Sequence, residues 1–226
     1  MTVIRSSWTP INKSESMQRI LSNTEISPGV FLLSVERTVQ FRPGQTVKIS
    51  LDDDLPPRIY SICSGTADPT LSVLYNIKEG GSLTPKLARL RPGDSLRLSE
   101  PGGTFFGTPE PALWIATGTG IAPFYSMLRS GLGHNKTLLH GVRTANQFYF
   151  DTEWITELGP RYHRFCSGER PEGIVHGRVN QFFDQPHEPL PPKVYICGQA
   201  TMCVEIRDLL IARGVPFGNI IVEIYF

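Results

Sequence analysis

Between Met17 and Phe106 the apolar positions come in short alternating bursts. Each burst is cut off by a turn signal: SPG at 27–29, RPG at 42–44, DDDLPP at 52–57, EGG at 79–81 and RPGD at 91–94. A period of two sends every second side chain to one face of a strand, while glycine and proline supply the geometries that reverse the chain. Val47, Ile49 and Leu51 in FRPGQTVKISL show this alternation. Many short strands at such spacing predict an antiparallel β-barrel. One helical interval interrupts it, Leu83 to Leu90, where Leu83, Leu87 and Leu90 share a face.

After GTPEPA (107–112) the pattern changes. ALWIATG, KTLLHGVR, RYHRFCS, KVYICG and NIIVEIY are nearly continuous apolar runs, with helical patterns between most of them. Strands covered on both faces read this way, so the second half is predicted to be an α/β layer structure around a parallel sheet. Met202, Ile206, Leu209 and Leu210 form the stripe of one helix, and Gly214 supplies its stop. Asp151 is placed to cap another, TEWITEL. The chain therefore divides into a polar, aperiodic arm (1–16), a barrel domain (17–106), a linker (107–112) and an α/β domain (113–226).

With 226 residues there is enough chain for two such cores, and a formal net charge of +1 provides no electrostatic footprint for nucleic acid or an anionic membrane. No apolar run reaches the roughly 20 residues of a membrane span, and MTVIRSSWTP lacks the apolar core of a secretory signal, so a cytoplasmic protein is expected. Cys63, Cys166, Cys197 and Cys203 are too widely spread for a zinc or iron–sulfur site, which predicts reduced thiols and no metal.

Four segments can carry chemistry. In Arg58-Ile59-Tyr60-Ser61, extended backbone sets Arg58 and Tyr60 on one side roughly 7 Å apart, so a cation and an aromatic plate serve one elongated ligand such as a flavin nucleotide. A buried strand with Ile59, Ile62 and Cys63 in the core accounts for the same residues. Gly118-Thr119-Gly120-Ile121-Ala122-Pro123 joins a strand to a helix start that offers backbone donors to pyrophosphate. Pro123 stands where the dinucleotide fingerprint has its third glycine, so an ordinary Rossmann dehydrogenase is disfavoured. Gly80-Gly81-Ser82-Leu83-Thr84 forms a second glycine turn into a helix, readable as a phosphate site or as a plain helix cap. Cys197 and Gly198 end a strand at the edge where α/β sheets bind ligands; a small buried thiol is the other reading.

Taken in order, FRPGQ, RIYS with Ser64, GSLTPKLARLRPGD, GTFF, GTGIAPFYSM, HGVRT, ICGQATM and the ending VEIYF resemble the ferredoxin–NADP reductase superfamily over about residues 17 to 226. That resemblance implies an FAD-binding barrel followed by an NADP(H)-binding α/β domain, with NAD(H) left open as the nucleotide. It implies that Arg58 holds the FAD pyrophosphate, that Ile59 and Tyr60 line the ring with Tyr60 stacked on it, and that Ser61 bonds near flavin N5. Gly81, Ser82, Leu83 and Thr84 match the second FAD phosphate contact, Tyr225 covers the other flavin face, and Phe226 lies on the adenine. For the nicotinamide nucleotide it implies Thr117, Gly118, Thr119, Gly120 and Pro123, with Cys197 and Gly198 beside the nicotinamide and Glu223 as the nearby carboxylate.

Arg143, Ser167 and Arg178 match positions that face the 2′-phosphate. One departure stands out: where the family commonly has a Ser-Arg pair, this chain has Ser167-Gly168, with Arg170 near in sequence. Ser61, Cys197, Glu223 and Tyr225 are the implied catalytic set. The implied activity passes hydride between NADPH and FAD, and single electrons to or from a separate ferredoxin or flavodoxin. Rivals are a flavin reductase or oxygenase-component reductase on the same fold and a non-catalytic nucleotide-binding or sensing module. Oligomeric state is left open.

Overall fold

The computed structural model describes residues 15–51, 55–184 and 189–225. Residues 1–14 of the expected arm and Phe226 lie outside them.

The first domain is a six-stranded antiparallel sheet of β1 (Glu15–Ser27), β2 (Val30–Glu36), β3 (Thr46–Ser50), β4 (Arg58–Ser61), β5 (Thr70–Asn76) and β6 (Ser95–Ser99), ordered β4-β3-β6-β1-β2-β5. A bridge between Ile62 and Val73 joins the two ends of that order and curls the sheet into a barrel. Ile20, Leu33, Val47, Ile49, Val73 and Leu96 point inward and are almost fully buried. The helical interval is shorter than its apolar stripe: α1 covers Thr84–Leu87, and turn hydrogen bonds carry the chain on to Leu90.

The second domain is a parallel sheet of β7 (Ala112–Thr117), β8 (Lys136–Val142), β9 (Tyr162–Cys166), β10 (Val175–His176), β11 (Lys193–Gln199) and β12 (Ile220–Tyr225), ordered β10-β9-β8-β7-β11-β12. Helices α2 (Ala122–Met127), α3 (Asp151–Leu158) and α4 (Ala200–Ala212) cover it. Both faces are buried, as the continuous apolar runs require. Trp114, Ala116 and Cys197 pack on one side, while Leu113, Ile115 and Ile196 pack on the other with Cys203 and Leu210 of α4.

Two local expectations give way. Asp151 is the first helical residue of α3 rather than its cap; Phe150 precedes it in a left-handed conformation, and the Asp151 carboxylate goes to Arg164 at 3.0 Å. The stretch expected as one helix after Gly118 starts as a 3₁₀ turn (Gly118–Ile121), continues as α2 and ends as a π turn over Leu128–Leu132 containing Gly131 at φ +80°.

The two domains share a core, since Val30, Cys63, Leu74 and Phe105 of the barrel join the cluster of Trp114, Phe124 and Met127. Polar groups fasten the same seam. The Ser126 hydroxyl donates to the Ser64 carbonyl at 2.7 Å, the Thr66 N–H to Ser130 Oγ at 3.0 Å, and Arg129 pairs with Asp68 at 2.7 Å.

Candidate functional site

Strand β4 leaves the barrel beside the carboxyl ends of β7, β11 and β12. Arg58 and Tyr60 pair with Ile49 and Val47, whose side chains point into the barrel, whereas Ile59 pairs with the exposed Lys48. Arg58 and Tyr60 thus share the inner side of the barrel rim, as the alternation predicts. Tyr60 meets Tyr75 edge to face at 6.1 Å, and burial pushes its hydroxyl up to about 12, against the lowering effect of Arg58.

Ser61 closes the strand at 2% exposure. Its hydroxyl donates to Glu223 Oε2 at 2.8 Å and accepts from the Tyr225 hydroxyl at 2.6 Å. Residues 162 and 164 positions apart therefore form one hydrogen-bonded chain across the domain boundary. Cys197 lies opposite Glu223 in the β11–β12 register, and its thiol is in hydrogen-bonding contact with Tyr225. Burial raises the Glu223 carboxyl above the usual carboxylate range while the Ser61 bond opposes the rise. Burial, reinforced by the charge of Glu223, pushes the Cys197 thiol well up, so this sulfur is a protonated, compact wall rather than a nucleophile. The four residues singled out for catalysis are thus gathered at one point.

The loop after β7 closes against the end of β11. A Cβ at Gly120 would stand 2.7 Å from the Cys197 carbonyl carbon, so only glycine permits the approach. Pro123 falls in the first helical turn, where its missing N–H leaves no gap. Thr117 Oγ1 is buried there without a hydrogen-bonding partner. A buried orphan hydroxyl is costly unless something polar reaches it, which suits a loop that receives a polar ligand.

At the glycine turn in the barrel, no side chain caps α1; Leu83 occupies the cap position and Thr84 Oγ1 accepts the Lys78 N–H at 2.8 Å. Farther along the sheet edge, Arg143, Ser167, Arg170 and Arg178 are all exposed around the ends of β8, β9 and β10. Gly168 donates its N–H to the Arg143 carbonyl at 2.8 Å, and a Cβ there would lie 2.5 Å from that same oxygen. An arginine at 168 would not simply restore a missing contact. Sequence reasoning missed Glu169, which reaches from this loop to the Ala145 N–H at 2.7 Å; its signal was an acidic residue directly after the departing glycine.

Among the described residues no group of three His, Cys, Asp or Glu side chains is placed to hold a metal, and no helix is long and apolar enough to cross a membrane.

Residues 114–208 match the family model described as the oxidoreductase NAD-binding domain. The chain is 31% identical to ferredoxin–NADP reductase B of Sorangium cellulosum, over 92% of its own length and 96% of that relative's. The chain belongs to the ferredoxin–NADP reductase superfamily. Within that superfamily it is also 28% identical to one component of the 1,2-phenylacetyl-CoA epoxidase of Escherichia coli, covering 84% of this chain and 60% of that component. A ferredoxin NADP⁺ reductase structure from Neisseria gonorrhoeae, solved with bound FAD and NADP, shares the two-domain fold at a TM-score of 0.84 and 20% identity, covering 95% of this chain and all of that one.

Proposed function

We propose that the protein is a FAD-dependent oxidoreductase that passes hydride between NADPH and FAD, and single electrons between the flavin and a separate ferredoxin or flavodoxin. One observation carries this reading in the structure: Tyr225, Ser61 and Glu223 are hydrogen-bonded across the two domains beside Cys197. A ligand held at the barrel rim and a ligand held at the sheet edge meet at that point.

FAD, when bound, supplies the exchange between a two-electron hydride and single electrons. The protein's part is to hold, orient and exclude water. Arg58 grips the pyrophosphate through its fork of donors, and Ile59 and Tyr60 support one ring face. Gly81, Ser82, Leu83 and Thr84 meet the second phosphate, Tyr225 covers the opposite ring face, and Phe226 is assigned to the adenine. Ser61 offers its hydroxyl at the reacting edge, held in orientation by Glu223 Oε2, which can take or return a proton through it.

Thr117, Gly118, Thr119, Gly120 and Pro123 receive the nicotinamide nucleotide, with the unpartnered Thr117 Oγ1 as a ready polar contact. Cys197 and Gly198 flank the nicotinamide, and Arg143, Ser167 and Arg178 face the adenosine end. In this reading 17–106 is the FAD domain, 107–112 the link and 113–226 the nucleotide domain. Four unpaired, buried cysteines agree with a cytoplasmic location.

The epoxidase component among the relatives favours one second reading, the same hydride chemistry serving an oxygenase. Anaerobic reduction decides at two levels. Purified protein carrying about one FAD per chain should be bleached by NADPH and should then reduce an added ferredoxin or flavodoxin. Folded, FAD-loaded protein that no reduced nicotinamide bleaches overturns the enzyme reading. Bleaching without transfer to either carrier shifts the assignment to the oxygenase partner.

A further inference from the structure

The loops after β8 and β9 are fastened side by side. Ser167 and Gly168 donate their N–H groups to the carbonyls of Val142 and Arg143 at 3.0 and 2.8 Å. His176 Nδ1 bonds the Glu169 carbonyl at 2.9 Å, and Glu169 Oε2 accepts the Ala145 N–H at 2.7 Å. Although exposed, this carboxylate is therefore fixed, anchored at both its main chain and its tip. It sits at the carboxyl edge of the sheet in the loops that carry Arg143 and Ser167, while position 168 has no room for a side chain that could cancel it.

A fixed carboxylate accepts a hydrogen bond from a ribose hydroxyl and repels a phosphate dianion. Two exposed arginines, Arg143 and Arg178, pull the other way. We propose that Glu169 is a specificity-determining residue that reads the 2′ position of the adenosine ribose and holds down discrimination between the two nicotinamide nucleotides, so that NADH serves as a hydride donor alongside NADPH. This rests on the NAD(P)H oxidoreductase reading above.

The test uses adenosine 5′-monophosphate and adenosine 2′,5′-bisphosphate, which differ only in the 2′-phosphate, titrated by calorimetry into FAD-loaded wild type and Glu169→Gln. Glutamine keeps an acceptor for the Ala145 N–H while removing the charge. Exposed charge contacts change affinity by about two- to fivefold, so Glu169→Gln should tighten the bisphosphate by that factor and leave the monophosphate unchanged or weaker. In parallel, the ratio of Michaelis constants, NADH over NADPH, should rise by the same factor. An unchanged ratio of the two affinities in Glu169→Gln overturns the proposal while leaving the oxidoreductase reading intact. So does wild-type flavin that NADPH reduces and NADH does not. Failure of the broader reading looks different: neither nucleotide binds wild type and neither donor bleaches the flavin, which removes the proposal with it.

Discussion

Ser61→Ala takes one oxygen out of a three-member chain and strands both neighbours. Glu223 loses the donor that holds its carboxyl down against burial, and the Tyr225 hydroxyl loses its acceptor. A hydrogen bond to a charged group contributes about 1.5–3 kcal/mol and a neutral one about 1 kcal/mol. Glu223 and Tyr225 are only half-buried, so water recovers part of this, and a net loss of roughly 1.5–3 kcal/mol at pH 7 is expected.

The pH dependence gives the sharper reading. A carboxyl whose folded pKa is raised contributes its full stability below the unfolded value and loses it as pH rises through the folded value. Removing the Ser61 bond raises the folded pKa further, so the variant's disadvantage should be small near pH 4 and widen toward neutrality, about where an ordinary glutamate has long been ionised. Urea unfolding of FAD-saturated wild type and variant across pH 4 to 8 measures the gap. At pH 7, anaerobic stopped flow should show flavin reduction slowed by about tenfold or more, since the polar group at the reacting edge is gone. A stability gap that is constant with pH, together with unchanged reduction, refutes the Ser61–Glu223 argument.

Tyr225→Ser should tighten oxidised NADP binding by about three- to tenfold, because a ring stacking worth roughly 0.5–1.5 kcal/mol no longer competes for the flavin face; a spectral titration with unchanged affinity refutes the lid. Asp68→Asn should cost about 0.5–1 kcal/mol in thermal unfolding at pH 7. Burial raises the Asp68 carboxyl, but the Arg129 bond and the Gly65 N–H outweigh it and hold it below the usual range. Its contribution is therefore present above the unfolded value and lost as pH falls through the folded one, so variant and wild type should converge in acid. Gly168→Ala should destabilise by about 1–3 kcal/mol, since its Cβ meets the Arg143 carbonyl; an unchanged melting temperature shows that the loop yields freely.

Much of this was readable in the chain because it is local. RIYS lies on one strand and obeys its alternation, and Gly118 to Pro123 encodes its own strand-to-helix turn. The order of motifs then fixed the two domains. What escaped was decided by tertiary partners. Asp151 has the chemistry of a cap, but Arg164 on the neighbouring strand β9 claimed its carboxylate. The leucines of 83 to 90 predict two turns of helix, yet Asn23 of β1 takes the Leu87 and Leu90 carbonyls at 2.8 and 3.0 Å, closing the segment early. Glu169 gains meaning only when the loops after β8 and β9 are seen side by side. No periodicity carries that information.

The seam between the domains has a consequence for recombination. The segment that fastens it, Ser64 to Asp68, follows directly on the strand carrying Arg58, Tyr60 and Ser61, and its receptors Ser126, Arg129 and Ser130 follow directly on the loop carrying Thr117 to Pro123. A hybrid that joined this barrel to a relative's nucleotide half at the 107–112 link would keep both cores and still mismatch the seam. To preserve the spacing of the two reacting ligands, a graft has to exchange Ser64 to Asp68 together with Ser126 to Ser130, as one inherited unit.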